Sequence, residues 1–247
     1  MFKLRLHKHL VADHFFVIAF HRVNDECQDA LTCTSAEFAA YCRFFAENFN
    51  VVSLSQQLEW LRNGGPLSRS LSITFDDGYR DNYDIAAPIM EQFGLAATIF
   101  VVSGFIGTDT VAWWDKEAGA PRPWMTWDQV RDLRQRSFDI GCHTNTHADF
   151  GTIDGSAIRE ELAISRGILE REMHAPTDLF SYPFGGKQNI TEEARSMVRA
   201  AGFRCCLSCH GGVNRVADDP YYLTRIPVSS WYLSPHHLGA HMLAGRT

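Results

Sequence analysis

The sequence predicts an α/β protein built around a parallel sheet, open or closed into a barrel. Three observations carry that reading. Short apolar runs alternate with segments of helical spacing along most of the 247 residues, and this order sets strands side by side with helices between them. No repeat, low-complexity segment or linker breaks the alternation. Apolar residues make up 45% and charged residues 21%, the balance of a globular chain with a sizeable core. Residues 1–247 are therefore read as a single domain.

Eight strands are expected: His14–Phe20, Val51–Leu54, Leu71–Phe75, Ala97–Val102, Phe138–Cys142, Leu179–Tyr182, Arg204–Ser208 and Leu223–Val228. After the first, Thr34 and Glu37 spell a capping box, and Phe38, Tyr41, Phe45 and Phe49 share one helical face. Ile85, Ile89 and Phe93 repeat the spacing, with Gly94 at the position of a helix C-cap. Ile158, Leu162, Leu169 and Met173 mark a longer helix, and Ala194 to Ala201 ends at Gly202. His236, His237 and His241 fall in a helical stretch after Pro235, on a barrel's outer layer. The longest irregular stretch, Ser103 to Thr126, holds Trp113, Trp114 and Trp124. Loops of that length are more often functional than disordered; the alternative is that these tryptophans simply cover the barrel end.

Composition removes several function classes. Lys plus Arg is 23 against 29 for Asp plus Glu, a net charge of −6 with no basic stripe, so nucleic acid and anionic membrane surfaces are poor partners. No apolar run approaches the roughly twenty residues of a membrane span. The basic start, Met1 to Leu10, leads into an apolar run of only Phe15 to Phe20, short for a signal peptide, and a cytoplasmic protein is expected. Seven scattered cysteines are odd in number, which suits reduced thiols rather than a disulfide framework. Cys206-Leu-Ser-Cys209-His210 has the spelling of a c-type haem attachment site. Without an export signal or a second CxxC pair, it reads as a strand with small core residues.

Ligands of parallel α/β sheets bind at the carboxyl ends of strands. Reading just past each strand gives His21, then Asp76-Asp77-Gly78, then His143-Thr-Asn-Thr-His147, then Pro183-Phe184-Gly185-Gly186. Singly, each of these could be an ordinary turn or a solvated pair of histidines. Together on one sheet edge they favour a metal site. Two imidazoles four residues apart can reach one ion, and a carboxylate from a neighbouring strand completes a three-ligand face that leaves positions open. Such a set suits Zn²⁺, and also Fe²⁺, Co²⁺ or Ni²⁺. A second carboxylate beside the ligand is what a metal hydrolase needs as general base.

Thr74-Phe75-Asp76-Asp77-Gly78 and His143-Thr144-Asn145-Thr146-His147 resemble the first two motifs of the polysaccharide deacetylases, from about Phe16 to Val228. The resemblance implies a distorted (β/α) barrel of seven or eight parallel strands and metal-dependent removal of N-acetyl groups from amino sugars. It implies that Asp77, His143 and His147 hold one divalent ion and that Asp76 is the general base. Phe180-Ser181-Tyr182-Pro183-Phe184 is similar to the third motif, typically Arg-x-Pro-Tyr, which gives the Phe184 N–H an oxyanion role. Ser181 stands where that arginine usually holds the base. The family's usual C-terminal Leu-x-His is missing, but Ile18-Ala-Phe-His21-Arg22-Val23 resembles the Tyr-His-x-Val segment of a circularly permuted subgroup. His21 then becomes the general acid, with His210 second choice. A structural alternative has His21 hydrogen-bonding Asp25 or backbone.

A carbohydrate bearing an N-acetyl amino sugar is the expected partner. Trp113 and Trp114 are the candidate stacking platform, with Tyr182 and His210 as further candidates for the sugar site. Rival readings are a deformylase of a lipid- or nucleotide-linked amino sugar and a glycan-binding module without turnover.

Overall fold

The computed structural model describes residues 14–26, 29–117, 119, 122–228, 231–232 and 234–244. Six strands run parallel in one curled sheet: β1 (His14–Phe20), β2 (Ser70–Phe75), β3 (Thr98–Val101), β4 (Asp139–Cys142), β5 (Leu179–Ser181) and β6 (Cys205–Leu207). Phe16 lies opposite Leu71 and Phe20 opposite Phe75, which fixes the register of the central pair. A short seventh strand, β7 (Ile226–Pro227), pairs with Ile18 and Ala19 of β1, while Leu223 just before it bridges Leu207 of β6. This segment thereby joins the last strand back to the first, giving the distorted barrel expected. Asn214 and Arg215 add an antiparallel pairing to the start of β1, a departure from a purely parallel sheet.

Every residue of β1 after His14, and all of β2, is buried, as for strands covered on both faces. Alternation along β1 sends its side chains to two cores. Phe16, Ile18 and Phe20 join the larger cluster with Phe38 and Phe45 of α1 (Ser35–Asn48). Phe15 and Val17 join Phe100, Leu179, Leu207 and Leu223 inside the barrel, together with Leu54 and Leu58 of α2 (Leu54–Asn63). Each such burial contributes about 1.5–3 kcal/mol. Gln57 of α2 donates to the Phe16 carbonyl (3.2 Å) and to Ser70 Oγ (3.0 Å). These contacts tie α2 to the lower half of the barrel, while the strands' carboxyl ends carry the polar residues.

The expected strand Val51–Leu54 shrinks to Asn50–Val51, because Leu54 already opens α2. Ser53 is the reason: its side chain caps the helix by accepting from the Gln56 N–H. The capping box at Thr34 and Glu37 forms as predicted. The remaining helices are α3 (Ala87–Gln92), α4 (Trp113–Glu117), α5 (Trp127–Gln135), α6 (Gly155–Met173), α7 (Glu192–Ala200) and α8 (Pro235–Ala244). The irregular stretch thus contains one short helix, α4. Among the described residues no helix is long and apolar enough to cross a membrane, and six cysteines are free thiols. Cys27 lies outside the described residues.

Candidate metal and hydrolytic site

The site starts at the end of β2. Asp76 N–H donates to the Phe20 carbonyl (3.0 Å), the last ladder bond before the chain turns. Asp77 then takes a left-handed φ of 74° and Gly78 one of 90°. That φ favours glycine at 78, where a Cβ would also crowd the Ile106 methyl at 2.8 Å. At the end of β4, the His143 N–H donates to the Val101 carbonyl (3.0 Å). Thr144 and His147 both have left-handed φ, so the two histidines share a sharp loop rather than a helical turn. Glu161 of α6 clasps that loop by accepting from the N–H groups of Asn145 (2.8 Å) and Thr146 (3.0 Å). Among the described residues, four of the seven non-glycine positions at positive φ are Asp77, Thr144, His147 and Phe184. Backbone strain is thus concentrated where these side chains meet.

Asp77, His143 and His147 each bring one ligand atom within 4.8 Å of the others. One oxygen of Asp77 lies 3.5 Å from His143 Nε2 and 3.4 Å from His147 Nε2. That oxygen is buried without a hydrogen-bond partner, the arrangement a cation would satisfy. His143 Nδ1 meets the Ser181 carbonyl at 2.9 Å, which orients its other nitrogen toward Asp77. Burial lowers the pKa of both imidazoles; Asp76 opposes this at each, and His143 adds to it at His147. Both rings therefore rest neutral, the form that ligates. Burial, reinforced by Asp76, raises Asp77 to about 8. The donor set fits a divalent ion.

Asp76 has a different environment. Burial alone would raise its pKa, but Arg225 outweighs this, with His143 and His21 adding, and holds the carboxyl well below its usual range. Arg225 is completely buried. It donates to the two Asp76 oxygens at 2.7 and 2.6 Å, to Thr74 Oγ1 at 3.1 Å and to Ser181 Oγ at 2.8 Å. Sequence reasoning missed this residue. The available signal was a lone arginine inside the apolar run Leu223–Val228. Ser181, the position where the third motif departs from its usual arginine, is hydrogen-bonded to the arginine that holds Asp76.

His21 ends β1 beside Asp76; their ligand atoms, with Cys209 Sγ, lie within 4.8 Å of one another. Burial lowers its pKa to about 4 against the opposing pull of Asp76, and Arg225, His143 and Arg22 lower it further. The ring is neutral at rest. The Asp25 carboxylate is engaged instead by the Ser35 N–H and hydroxyl, so it holds the start of α1.

The aromatic candidates separate. Trp114 lies 4.5 Å from the His147 ring and donates to Tyr79 Oη at 2.7 Å. Trp113 is 54% exposed and meets Trp114 edge-on at 5.6 Å. Asp115 anchors α4 by accepting from Arg22 (2.6 Å) and from the Tyr79 hydroxyl (3.1 Å). Phe184 is exposed and its ring stands 4.9 Å from His147. One expectation is corrected. Tyr182 is 1% exposed and packs on Phe150 and Phe180, because the β5 pleat turns it into the core rather than toward a sugar. His210 is half-buried and meets the Tyr222 hydroxyl at 3.3 Å.

The family model for polysaccharide deacetylase matches residues 63–206. A putative polysaccharide deacetylase, YxkH, of Bacillus subtilis is 24% identical over 86% of this chain and 71% of its own length. The poly-beta-1,6-N-acetyl-D-glucosamine N-deacetylase of Escherichia coli K12 is 30% identical over 54% of this chain, a match spanning 21% of that enzyme. Among solved structures, the Streptococcus pyogenes deacetylase PplD in complex with acetate superposes with a TM-score of 0.78 at 19% identity, covering 93% of this chain and 98% of that one. IcaB from Ammonifex degensii gives 0.76 at 21% identity over 92% and 96%. These two likenesses concern the fold.

Proposed function

The chain belongs to the polysaccharide deacetylase family, hydrolases of carbon–nitrogen bonds other than peptide bonds, and from that premise we propose that it removes the N-acetyl group from an amino sugar of a glycan or glycan precursor. The observation that carries the proposal is the juxtaposition of the Asp77–His143–His147 donor set with an ionised Asp76 clamped by Arg225. A divalent ion held by the three ligands, Zn²⁺ by preference for such donors, would supply Lewis-acid polarisation of the amide carbonyl and a lowered water pKa.

The protein's own groups handle the protons. Asp76 accepts the proton of the attacking water. Its basicity is weak beside Arg225, and the neutral His21 ring next to it is the natural second acceptor. His21 then hands that proton to the departing amine as the C–N bond breaks, so one proton leaves water and one arrives on nitrogen. The N–H of Phe184, a residue of left-handed φ just past β5 whose ring stands 4.9 Å from His147, is the oxyanion donor in this reading. Trp114, held by Tyr79, offers its face to the sugar ring. The free buried thiols support a reducing compartment, the cytoplasm, where the substrate would be a precursor or an imported oligosaccharide.

Acetate release from a panel of N-acetyl and N-formyl amino sugars, with metal-depleted and reconstituted protein, tests the reading. Metal-dependent acetate release is the expected result. Formate release alone would assign a deformylase, and sugar binding without either product would assign a binding module.

A further inference from the structure

A second set of metal-type donors faces the same mouth. His21 at the end of β1, Asp76 at the end of β2 and Cys209 just past β6 present one nitrogen, one oxygen and one sulfur within 4.8 Å of one another. We propose that these three residues form a second, inhibitory site for a soft divalent cation, Zn²⁺ or Cd²⁺, directly beside the Asp77–His143–His147 site. Imidazole, carboxylate and thiolate together are a zinc-type set, and the thiolate adds a preference for softer ions. Tetrahedral bonds of about 2.0–2.3 Å put ligand atoms roughly 3.3–3.8 Å apart, so the three converge by side-chain rotation without moving a strand.

The backbone holds the thiol in place. Cys209 N–H donates to the Gly185 carbonyl at 2.8 Å. A Cβ on Gly185 would fall 2.2 Å from the Cys209 nitrogen and 2.6 Å from its Cβ. Glycine at 185 is therefore what lets the turn after β5 and the turn after β6 touch. Of the six described thiols, Cys209 alone is not fully buried, so an ion can reach it. Arg225 uses one N–H on each Asp76 oxygen, and each oxygen keeps a second lone pair for a cation. The guanidinium charge makes this site weaker than the first, which has no cation paired to Asp77. Occupation in excess metal would engage Asp76 and His21 together and stop the proton path. That consequence rests on the roles proposed above; the binding itself does not.

Cd²⁺ titration of metal-depleted protein separates the two. Wild type should take up two equivalents, the weaker one accompanied by the ultraviolet thiolate-to-cadmium absorption. Cys209→Ser should bind one equivalent without that band, and His147→Ala should keep the band. In the deacetylation assay, inhibitory Zn²⁺ should have to rise at least tenfold for Cys209→Ser relative to wild type. A band that persists in Cys209→Ser, a single equivalent in wild type, or a band lost in His147→Ala overturns the second site. Should no amino sugar be hydrolysed, the cadmium titration still decides whether the second site binds metal.

Discussion

The two halves of the barrel mouth are built in opposite ways. On the proposed metal side, Asp77, His143 and His147 come from two tight loops after β2 and β4, each fixed by its own backbone turns, the second also by Glu161. On the proposed base side, Asp76 is held by an arginine 149 residues further along the chain, and its neighbours His21 and Cys209 come from distant parts of the sequence. The first half is a local device placed on a scaffold. The second exists only once the segment Leu223–Pro227 has joined β6 to β1. The metal half should therefore fail by losing its ion, and the base half by losing its fold or its proton traffic.

Replacing both His143 and His147 by alanine is the sharpest attack on the first half. Metal content should fall to background, and acetate release with it, while the circular dichroism spectrum stays that of the wild type. Retention of stoichiometric metal by the double variant would end the assignment of this cluster.

The second half is attacked through Arg225. Removing one partner of a buried ion pair leaves an uncompensated charge, at a cost of about 3–5 kcal/mol. Arg225→Ala should show that loss in denaturant unfolding and a lower kcat. Ser181→Arg placed in the same variant should return a guanidinium to Asp76 from across the barrel, since Ser181 already touches Arg225. A recovery of roughly tenfold or more, a coupling of about 1.4 kcal/mol, is expected. No recovery would mean that position 181 cannot reach the base.

His21 separates traffic from architecture. His21→Ala should keep its metal and lose about 10²–10⁴ in kcat. Because the resting ring is neutral down to about pH 4, the wild-type profile should show no limb near neutrality assignable to His21. A wild-type limb near pH 6–7 that vanishes in His21→Ala would restore a standing imidazolium.

The metal half has its own pH signature. In metal-free protein Asp77 stays protonated up to about pH 8. The folded state thus holds a proton that the unfolded chain releases near pH 4, so metal-free stability declines as pH rises between those values. Metal binding expels the same proton, and affinity should climb about tenfold per pH unit up to pH 8 and then level off. Titration calorimetry in buffers of different ionisation enthalpy should find about one proton released per ion at pH 7 and none at pH 9. Equal release at both would remove Asp77 as the titrating ligand.

The same contrast explains what could be read from sequence. Asp76-Asp77-Gly78 and His143 to His147 are legible because each loop needs its residues contiguous, and strand alternation already puts both loops on one edge. Arg225 was not legible, because its partner Asp76 is fixed by barrel closure and no local spacing reveals it. Ser181 read as a missing arginine for the same reason. Tyr182 was misplaced because motif similarity says nothing of pleat direction, and its ring goes to Phe150 and Phe180.

The smallest expected effect lies where the two halves meet a sugar. Trp113 and Trp114 are adjacent in sequence, but only Trp114 faces the metal side, packed on His147 and fixed through Tyr79. Tyr79 in turn donates to Asp115, which Arg22 also holds, so the loop is tied to the strand that carries His21. An aromatic face in such contact is worth about 0.5–1.5 kcal/mol beyond its area. Trp114→Ala should therefore raise KM on the true substrate roughly three- to tenfold with metal content unchanged. Trp113→Ala, exposed and edge-on to its neighbour, should stay within about twofold. Equal effects of the two substitutions would mean that the sugar contacts both rings and that the loop rearranges when substrate enters. No effect from either would make Trp114 a packing wall for His147 alone, detectable then as weaker metal retention.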